Sequence, residues 1–175
     1  VSLIALPLIL LFIFYGFLRP LEVSRLKIKD IDIENKQLRF QSKTKHSKIK
    51  IIPEILLQSI PDLRSFKDED YLFTPEQIGG AWSALAVNRR DHFTKRFSRV
   101  VKKKFKLDAN YTLYSFRHTA ITKLYNKLKK DNTDYIAKGK LMPITGHQTM
   151  EALEKYLRDI DADLPDDYSK LFNQN

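Results

Sequence analysis

Four separated fragments carry the side chains able to do chemistry: FYGFLRPLEV, QSKTKHSK, TLYSFRHTAITKLY and ITGHQTMEALEKY. They supply Arg19, Lys43, Tyr114, Arg117, His147 and Tyr156. A guanidinium donates two parallel hydrogen bonds to an oxyanion and is never neutral at physiological pH. A tyrosine hydroxyl, with a reference pKa of about 10, becomes a nucleophile when nearby cations or a base favour the phenolate. A lysine can protonate a departing oxygen, and an imidazole can hydrogen-bond an oxyanion. The set suits transfer at phosphorus, which needs a nucleophile, positive charge around the pentacoordinate phosphorane, and a proton for the leaving group. No Asp/Glu cluster points to a magnesium site, so the protein's own cations would take that role.

Each residue also has a plain structural use. Lys43 is one of 21 lysines, with Lys45 as a rival in the same turn. Tyr156 lies beside a Met150, Leu153 and Leu157 stripe and could pack there. His147, after a glycine, could cap a helix. Arg19 has the weakest such alternative, because an arginine ending a buried helix needs an anion or an acid, and Glu22 is one turn away. His118 suits packing behind the site. Tyr114 can give or accept one hydrogen bond, but at neutral pH it accepts protons far less readily than imidazole.

These residues need a scaffold. The opening VSLIALPLILLFIFYGFL is eighteen residues without charge. Roughly 20 such residues can span a bilayer, yet no basic stretch precedes them, and a buried core helix is the favoured reading. LEVSRLKIKDID follows as a short helix leading into an extended stretch. QLRFQSKTKHSKIKIIP reads as a hairpin, with Leu38 and Phe40 on one strand and Ile49 and Ile51 on the other as the apolar positions. Pro53 opens another helix. Residues 89–106 form an amphipathic helix whose Phe93, Phe97, Val100, Val101 and Phe105 make one stripe. A helix from about Ser115 to Lys129 buries Phe116, Ala120, Ile121, Leu124 and Leu128. A short helix over 149–157 turns Met150, Leu153 and Leu157 inward. The class is α+β: mainly α-helical, with a small antiparallel sheet.

With 175 residues the chain forms one domain. A net charge of +10 favours a polyanionic partner, nucleic acid before an anionic membrane. The absence of cysteine excludes a disulfide framework and fits a reducing cytoplasm. No histidine spacing suggests a metal site. Residues 89–106 hold nine Lys/Arg against one Asp. A phosphate backbone would relieve that repulsion through counterion release. Arg89, Arg90, Lys95, Arg96, Arg99, Lys102 and Lys103 are therefore candidate DNA contacts, of the kind that position without reading sequence.

Taken in order, the four fragments resemble the catalytic domain of the tyrosine recombinase (phage integrase) family over nearly the whole chain. Gly16-Phe17-Leu18-Arg19-Pro20-Leu21-Glu22 matches the family's G-L-R-x-x-E pattern. Lys43 matches the hairpin lysine, Tyr114-Ser115-Phe116-Arg117-His118 the H-x-x-R-H box, and Gly146-His147 the G-H box. Tyr156 follows that histidine by nine positions, where the nucleophile belongs. Tyr114 departs from the family's usual histidine, and a hydrogen-bonding role without general-base chemistry is expected for it.

The resemblance implies the integrase catalytic-domain fold with a three-stranded antiparallel sheet. It implies a site-specific DNA recombinase that works through a 3′-phosphotyrosyl link, with no cofactor, metal or ATP. Double-stranded DNA is the expected partner, with a homotetramer for the full-length protein, a monomer for the isolated domain, and no membrane. Location would be the bacterial cytoplasm, on the nucleoid when active. Residues 1–175 would be the catalytic domain alone, and the start at Val1 suggests that a DNA-clamping domain precedes it. The segment after Tyr156, with Leu164, Leu171 and Phe172, is a candidate for exchange between protomers. A type IB topoisomerase, a non-catalytic DNA-binding module and a membrane-anchored basic protein are the competing readings.

Overall fold

A computed structural model describes residues 5–42 and 47–157. Lys43 and Lys45 lie outside the described residues, as do Leu164, Leu171 and Phe172. Helix α1 (Ala5–Phe14) is apolar throughout and buries Ala5, Leu6, Leu8, Ile9, Phe12 and Ile13. Its ten residues rise about 15 Å, half of a bilayer core. No helix among the described residues is long and apolar enough to cross a membrane. A turn leads from α1 to helix α2 (Pro20–Val23), where Pro20 sits at the first helical position and needs no amide partner.

Strands β1 (Ile31–Asp32), β2 (Gln37–Gln41) and β3 (Ser47–Ile51) form an antiparallel sheet in that order. Helix α3 (Glu54–Leu57) follows. A second hairpin pairs β4 (Tyr71–Phe73) with β5 (Ile78–Gly80), which the mixed DEDYLFTPEQIGG stretch does not announce. Helix α4 (Ala86–Phe97) runs on through a π-helical turn, Ser98–Lys102, into α5 (Lys103–Phe105). Three helices complete the described chain: α6 (Leu113–Lys129), α7 (Asp134–Thr145) and α8 (Met150–Leu157). Gly139 and Pro143 inside α7 obscure it in the sequence, and packing of Ala137 and Leu141 outweighs their low helix propensity.

Two apolar clusters make the core. The larger gathers α1, the three-stranded sheet, β4 and the Phe93–Phe97 face of α4. The smaller joins Ile121 and Tyr125 of α6 to Ala137 and Leu141 of α7 and Leu153 and Leu157 of α8. Helix α6 bridges them, giving Leu113 to the first and Ile121 to the second. Arg117 lies between these two residues on α6.

Two expectations about facing are corrected. Phe105 is 62% exposed rather than part of the stripe. The π turn spends extra residues per rotation, so positions beyond it rotate off the face that Phe93 and Phe97 share. In the hairpin, Leu38 pairs with Lys50 and Phe40 with Lys48, and directly paired residues share a face. Leu38 and Phe40 are buried, so Lys48 and Lys50 point inward with them. Ile49 and Ile51 face outward, 60% and 77% exposed.

This register predicts opposite outcomes for two apolar residues paired one position apart. Ile51→Thr should change unfolding free energy by no more than about 0.5 kcal/mol. Leu38→Ala, removing a fully buried side chain, should cost about 2–5 kcal/mol. Urea titration of both variants measures the difference.

Candidate active site

The site begins at the turn after α1. A Cβ on Gly16 would lie 2.6 Å from the Phe12 carbonyl oxygen, so only glycine passes there. Phe17 then takes a positive φ of 53°, a left-handed conformation unusual for an aromatic residue. The turn places the Phe17 carbonyl and the Arg19 side chain on one side. Glu22 is 3% exposed and accepts from the Arg19 backbone amide at 2.7 Å and from Nη1 at 3.0 Å. The acid expected beside Arg19 is therefore Glu22, and it leaves Arg19 half-exposed and held from behind.

Arg117 is fully buried. Its Nε donates to the Phe17 carbonyl at 2.8 Å and its Nη2 to the Thr145 carbonyl at 3.0 Å. One guanidinium thus ties α6 to the turn after α1 and to the end of α7. Its Nη1 is buried without a hydrogen-bond partner. Burial first, and Arg19 second, lower its pKa to about 10, so the charge persists at neutral pH.

At the end of α7, Gly146 adopts φ 79° as a left-handed cap, its amide donating to the Met142 carbonyl. That reversal turns His147 inward, where it is 8% exposed. Its Nδ1 lies 2.7 Å from the Thr145 hydroxyl, and its Nε2 is buried without a partner. Burial, followed by Arg117, Arg19 and Lys50, pushes its pKa down to about 4. The imidazole is neutral at pH 7.

Helix α8 delivers Tyr156 into a ring of these groups. Its ring centroid lies 4.8 Å from that of His147, and the Arg117 guanidinium carbon is 5.0 Å from the Tyr156 centroid. His118 stacks on it at 6.0 Å, in keeping with a packing role behind the site, and Tyr114 lies tilted at the same separation. The Tyr156 hydroxyl is buried and also lacks a partner. Arg117 Nη1, His147 Nε2 and Tyr156 Oη are thus unpaired polar atoms on neighbouring side chains. A buried polar atom without a partner costs about 1–3 kcal/mol, and three together mark a site that gains on binding an oxyanion. Tyr114 is 40% exposed at the rim.

Sequence reasoning missed Lys50. Its ammonium donates to the Gly16 carbonyl at 3.1 Å and lies 5.7 and 5.8 Å from the centroids of Phe17 and Phe40. Burial and Arg117 lower its pKa to about 7. No sequence signal singles Lys50 out: alternation fits Ile49 and Ile51 as well as Lys48, Lys50 and Ile52, and it is the structure that turns the second set inward, with Ile52 1% exposed.

The basic helix is corrected in part. Arg89 is 5% exposed, donates to the Ser24 carbonyl at 2.9 Å and to that of Ala84, and stacks 3.8 Å from the Tyr71 centroid. Arg96 is 6% exposed and donates to the Pro75 carbonyl at 2.8 Å. Both lie on the inner side of α4 beside Phe93 and Phe97, where carbonyls outside helices can take their protons. Arg90 is half-buried and paired with Asp91 at 2.6 Å. Lys95, Arg99 and Lys103 are exposed and Lys102 half-buried, so the outward basic surface is narrower than the residue count implies.

A family model described as the Phage integrase family matches residues 3–162. The chain belongs to that family. Its fold is that of solved tyrosine recombinase catalytic domains. The integrase-family chain is similar to a crystal structure of XerA recombinase at 22% identity and a TM-score of 0.57, covering 93% of this chain and 53% of that one. It is also similar to the Tn1549 transposon integrase solved with transposon right end DNA, at 17% identity and a TM-score of 0.58 over 94% and 56%. A third likeness is to an integrase from mycobacterium phage Brujita, at 12% identity and a TM-score of 0.57 over 95% and 56%. The integrase-family chain therefore spans a little over half the length of these structures. No curated protein matches it.

The low pKa of His147 makes stability depend on acid. Its folded value, near 4, lies below the ordinary 6.5, so between those limits the unfolded state binds more protons. Stability from this group is complete above about pH 6.5 and is lost as pH falls towards 4. His147→Asn, which does not titrate, should flatten that limb in urea midpoints measured from pH 4 to 7.

Proposed function

We propose that this integrase-family chain is the catalytic domain of a site-specific recombinase that breaks and rejoins DNA strands through a 3′-phosphotyrosyl intermediate. The observation that carries the proposal is the unpartnered Tyr156 hydroxyl, with unpartnered nitrogens of Arg117 and His147 beside it. A phosphodiester entering between Arg19 and Arg117 would accept from both guanidiniums, which gain most where charge grows on the non-bridging oxygens. The nearby cations favour phenolate character at Tyr156 as it attacks phosphorus. The Tyr156 Oη–H bond breaks with its proton passing to solvent, the Oη–P bond forms, the P–O5′ bond breaks, and the 5′-oxygen leaves with its electron pair and takes a proton. Lys43 is the proposed donor, from a hairpin that faces the site with its Lys48 and Lys50 side. The phosphotyrosyl ester retains the bond energy, so religation to another strand needs no ATP.

DNA as substrate is supported by the family, by the net positive charge and by the DNA-bound Tn1549 integrase structure. Lys95, Arg99, Lys102 and Lys103 are the backbone contacts that remain on the outside of the basic helix. In the full-length protein, assembly as a tetramer on DNA belongs to the same proposal.

The test is a nicked suicide duplex incubated with the chain, scored for a denaturation-resistant protein–DNA adduct. Wild type should form it and Tyr156→Phe should form none. Arg117→Lys, which cannot hold both carbonyls and the phosphate, should slow it by at least about a hundredfold. Tyr114→Phe should slow it far less than Tyr156→Phe. Tight DNA binding without an adduct would support a non-catalytic module instead, and multiple-turnover relaxation of supercoiled DNA by monomers would support a topoisomerase.

A further inference from the structure

The hairpin makes an unfavourable choice. A one-residue shift in β3 would exchange the faces, burying Ile49 and Ile51 and exposing Lys48 and Lys50. The observed register instead leaves two isoleucines largely in water and takes a lysine amine out of it. Desolvating an ammonium group among like charges is costly, so the arrangement calls for a compensating gain.

The position of the amine indicates that gain. Lys50 shares a narrow cleft with Phe17, Arg19, Glu22, Lys48, Thr145 and Gly146. Its Nζ donates to the Gly16 carbonyl, one residue before the carbonyl held by Arg117 Nε. Lys50 and Arg117 therefore grip consecutive carbonyls of the turn that carries Arg19. A Cβ on Gly146 would lie 3.4 Å from Lys50 Cε, so the lysine also packs against the cap that directs His147.

We propose that Lys50 is a positioning residue of the phosphate site, which takes up a proton from solvent as a phosphodiester arrives and, as an ammonium ion, clamps the turn that orients Arg117 and Arg19. This rests on the site being a DNA phosphate site, as proposed above. The charged and titratable groups facing Lys50 are Arg19 and Glu22 from the first turn and α2, Lys48 on its own strand, Arg117 from α6 and His147 beyond α7. Leu38 and Phe40 of β2 bring no charge. Among the described residues only Glu22 opposes four groups that are cationic or become so on protonation, and its carboxylate is already engaged by Arg19. In the free protein the ammonium is therefore weakly favoured, and its pKa lies near 7. A phosphodiester anion reverses the local balance and raises that value. A charged Nζ also donates a stronger hydrogen bond to Gly16 than a neutral amine does. Proton uptake and tightening of the turn thus accompany phosphate binding. His147, with a pKa near 4, stays neutral throughout the range in which Lys50 titrates.

The experiment compares wild type, Lys50→Arg and Lys50→Met. Calorimetry of nicked-duplex binding at pH 8, in two buffers of different ionisation enthalpy, reads the protons taken up. Adduct formation from pH 6 to 9.5 reads the rate. Wild type should take up part of a proton on binding and lose adduct rate on the alkaline side. Lys50→Arg, charged throughout, should take up none and retain its rate at alkaline pH. Lys50→Met should be slower by about tenfold or more on the acidic side, where wild-type Lys50 is charged, and should approach the wild-type rate on the alkaline side, with unchanged circular dichroism. Wild-type proton uptake in Lys50→Arg, or a wild-type rate and pH profile in Lys50→Met, overturns the proposal. If Lys50→Met does not fold, proton uptake and pH profile in Lys50→Arg decide alone. If wild type forms no adduct but Lys50→Arg abolishes proton uptake, the enzymatic reading fails and the Lys50 proposal stands. If wild type forms the adduct and the Lys50 variants match it, the reverse holds.

Discussion

The burial of one guanidinium organises this molecule. Arg117 has no exposed surface, and two of its nitrogens are committed to the carbonyls of Phe17 and Thr145. Those carbonyls belong to Phe17, in the turn that leads out of α1 and the larger apolar cluster, and to Thr145 at the end of α7 in the smaller cluster, against which Phe17 also packs. The same side chain therefore joins the clusters and leaves Nη1 beside Tyr156. A buried charge with unsatisfied donors is costly, and here the satisfied donors set the geometry while the unsatisfied one is left beside the Tyr156 ring.

The backbone at both carbonyls is specialised for this purpose. Gly16 permits the chain to pass the Phe12 carbonyl, and Phe17 holds a left-handed conformation immediately after it. Gly146, at φ 79°, reverses the chain from the Thr145 carbonyl to the His147 imidazole. Strain at such positions is retained where surrounding contacts overdetermine it. Here Arg117 and Lys50 hold the first turn, and the Thr145 hydroxyl holds the imidazole of the second. Positive charge then accumulates with little opposing it: among the described residues Glu22 is the carboxylate that acts on Lys50, and burial depresses Lys50, Arg117 and His147 alike.

The basic helix shows how one residue type divides by position. Arg89 and Arg96 turn their guanidiniums onto carbonyls outside the helix and brace the β4–β5 region against α4. Lys95, Arg99 and Lys103 project to solvent. An arginine's fork satisfies carbonyls from inside the fold more readily than a lysine's flexible point charge.

Much of the site was legible in the sequence because its residue types are chemically unusual where they stand. An arginine ending an apolar run, a G-H pair and a tyrosine nine positions later are strong constraints, and they led to the phage integrase family and to the α+β class. The apolar periods of α1, α4 and α6 were legible for the same reason. Facing, pairing and charge state were not. Which way Ile49 and Lys50 point depends on the pairing of β3 with Leu38 and Phe40, and a period of two reads equally well from either set. Phe105 leaves its stripe because one π turn shifts the helix phase, and α7 forms because packing overrides Gly139 and Pro143. Arg117 is charged in any sequence, but burial, two backbone carbonyls and neighbouring cations turn it into an anchor with one free donor. Local chemistry is written in residue types and spacing; its electrostatics come only from the low-dielectric contacts made when distant segments pack together.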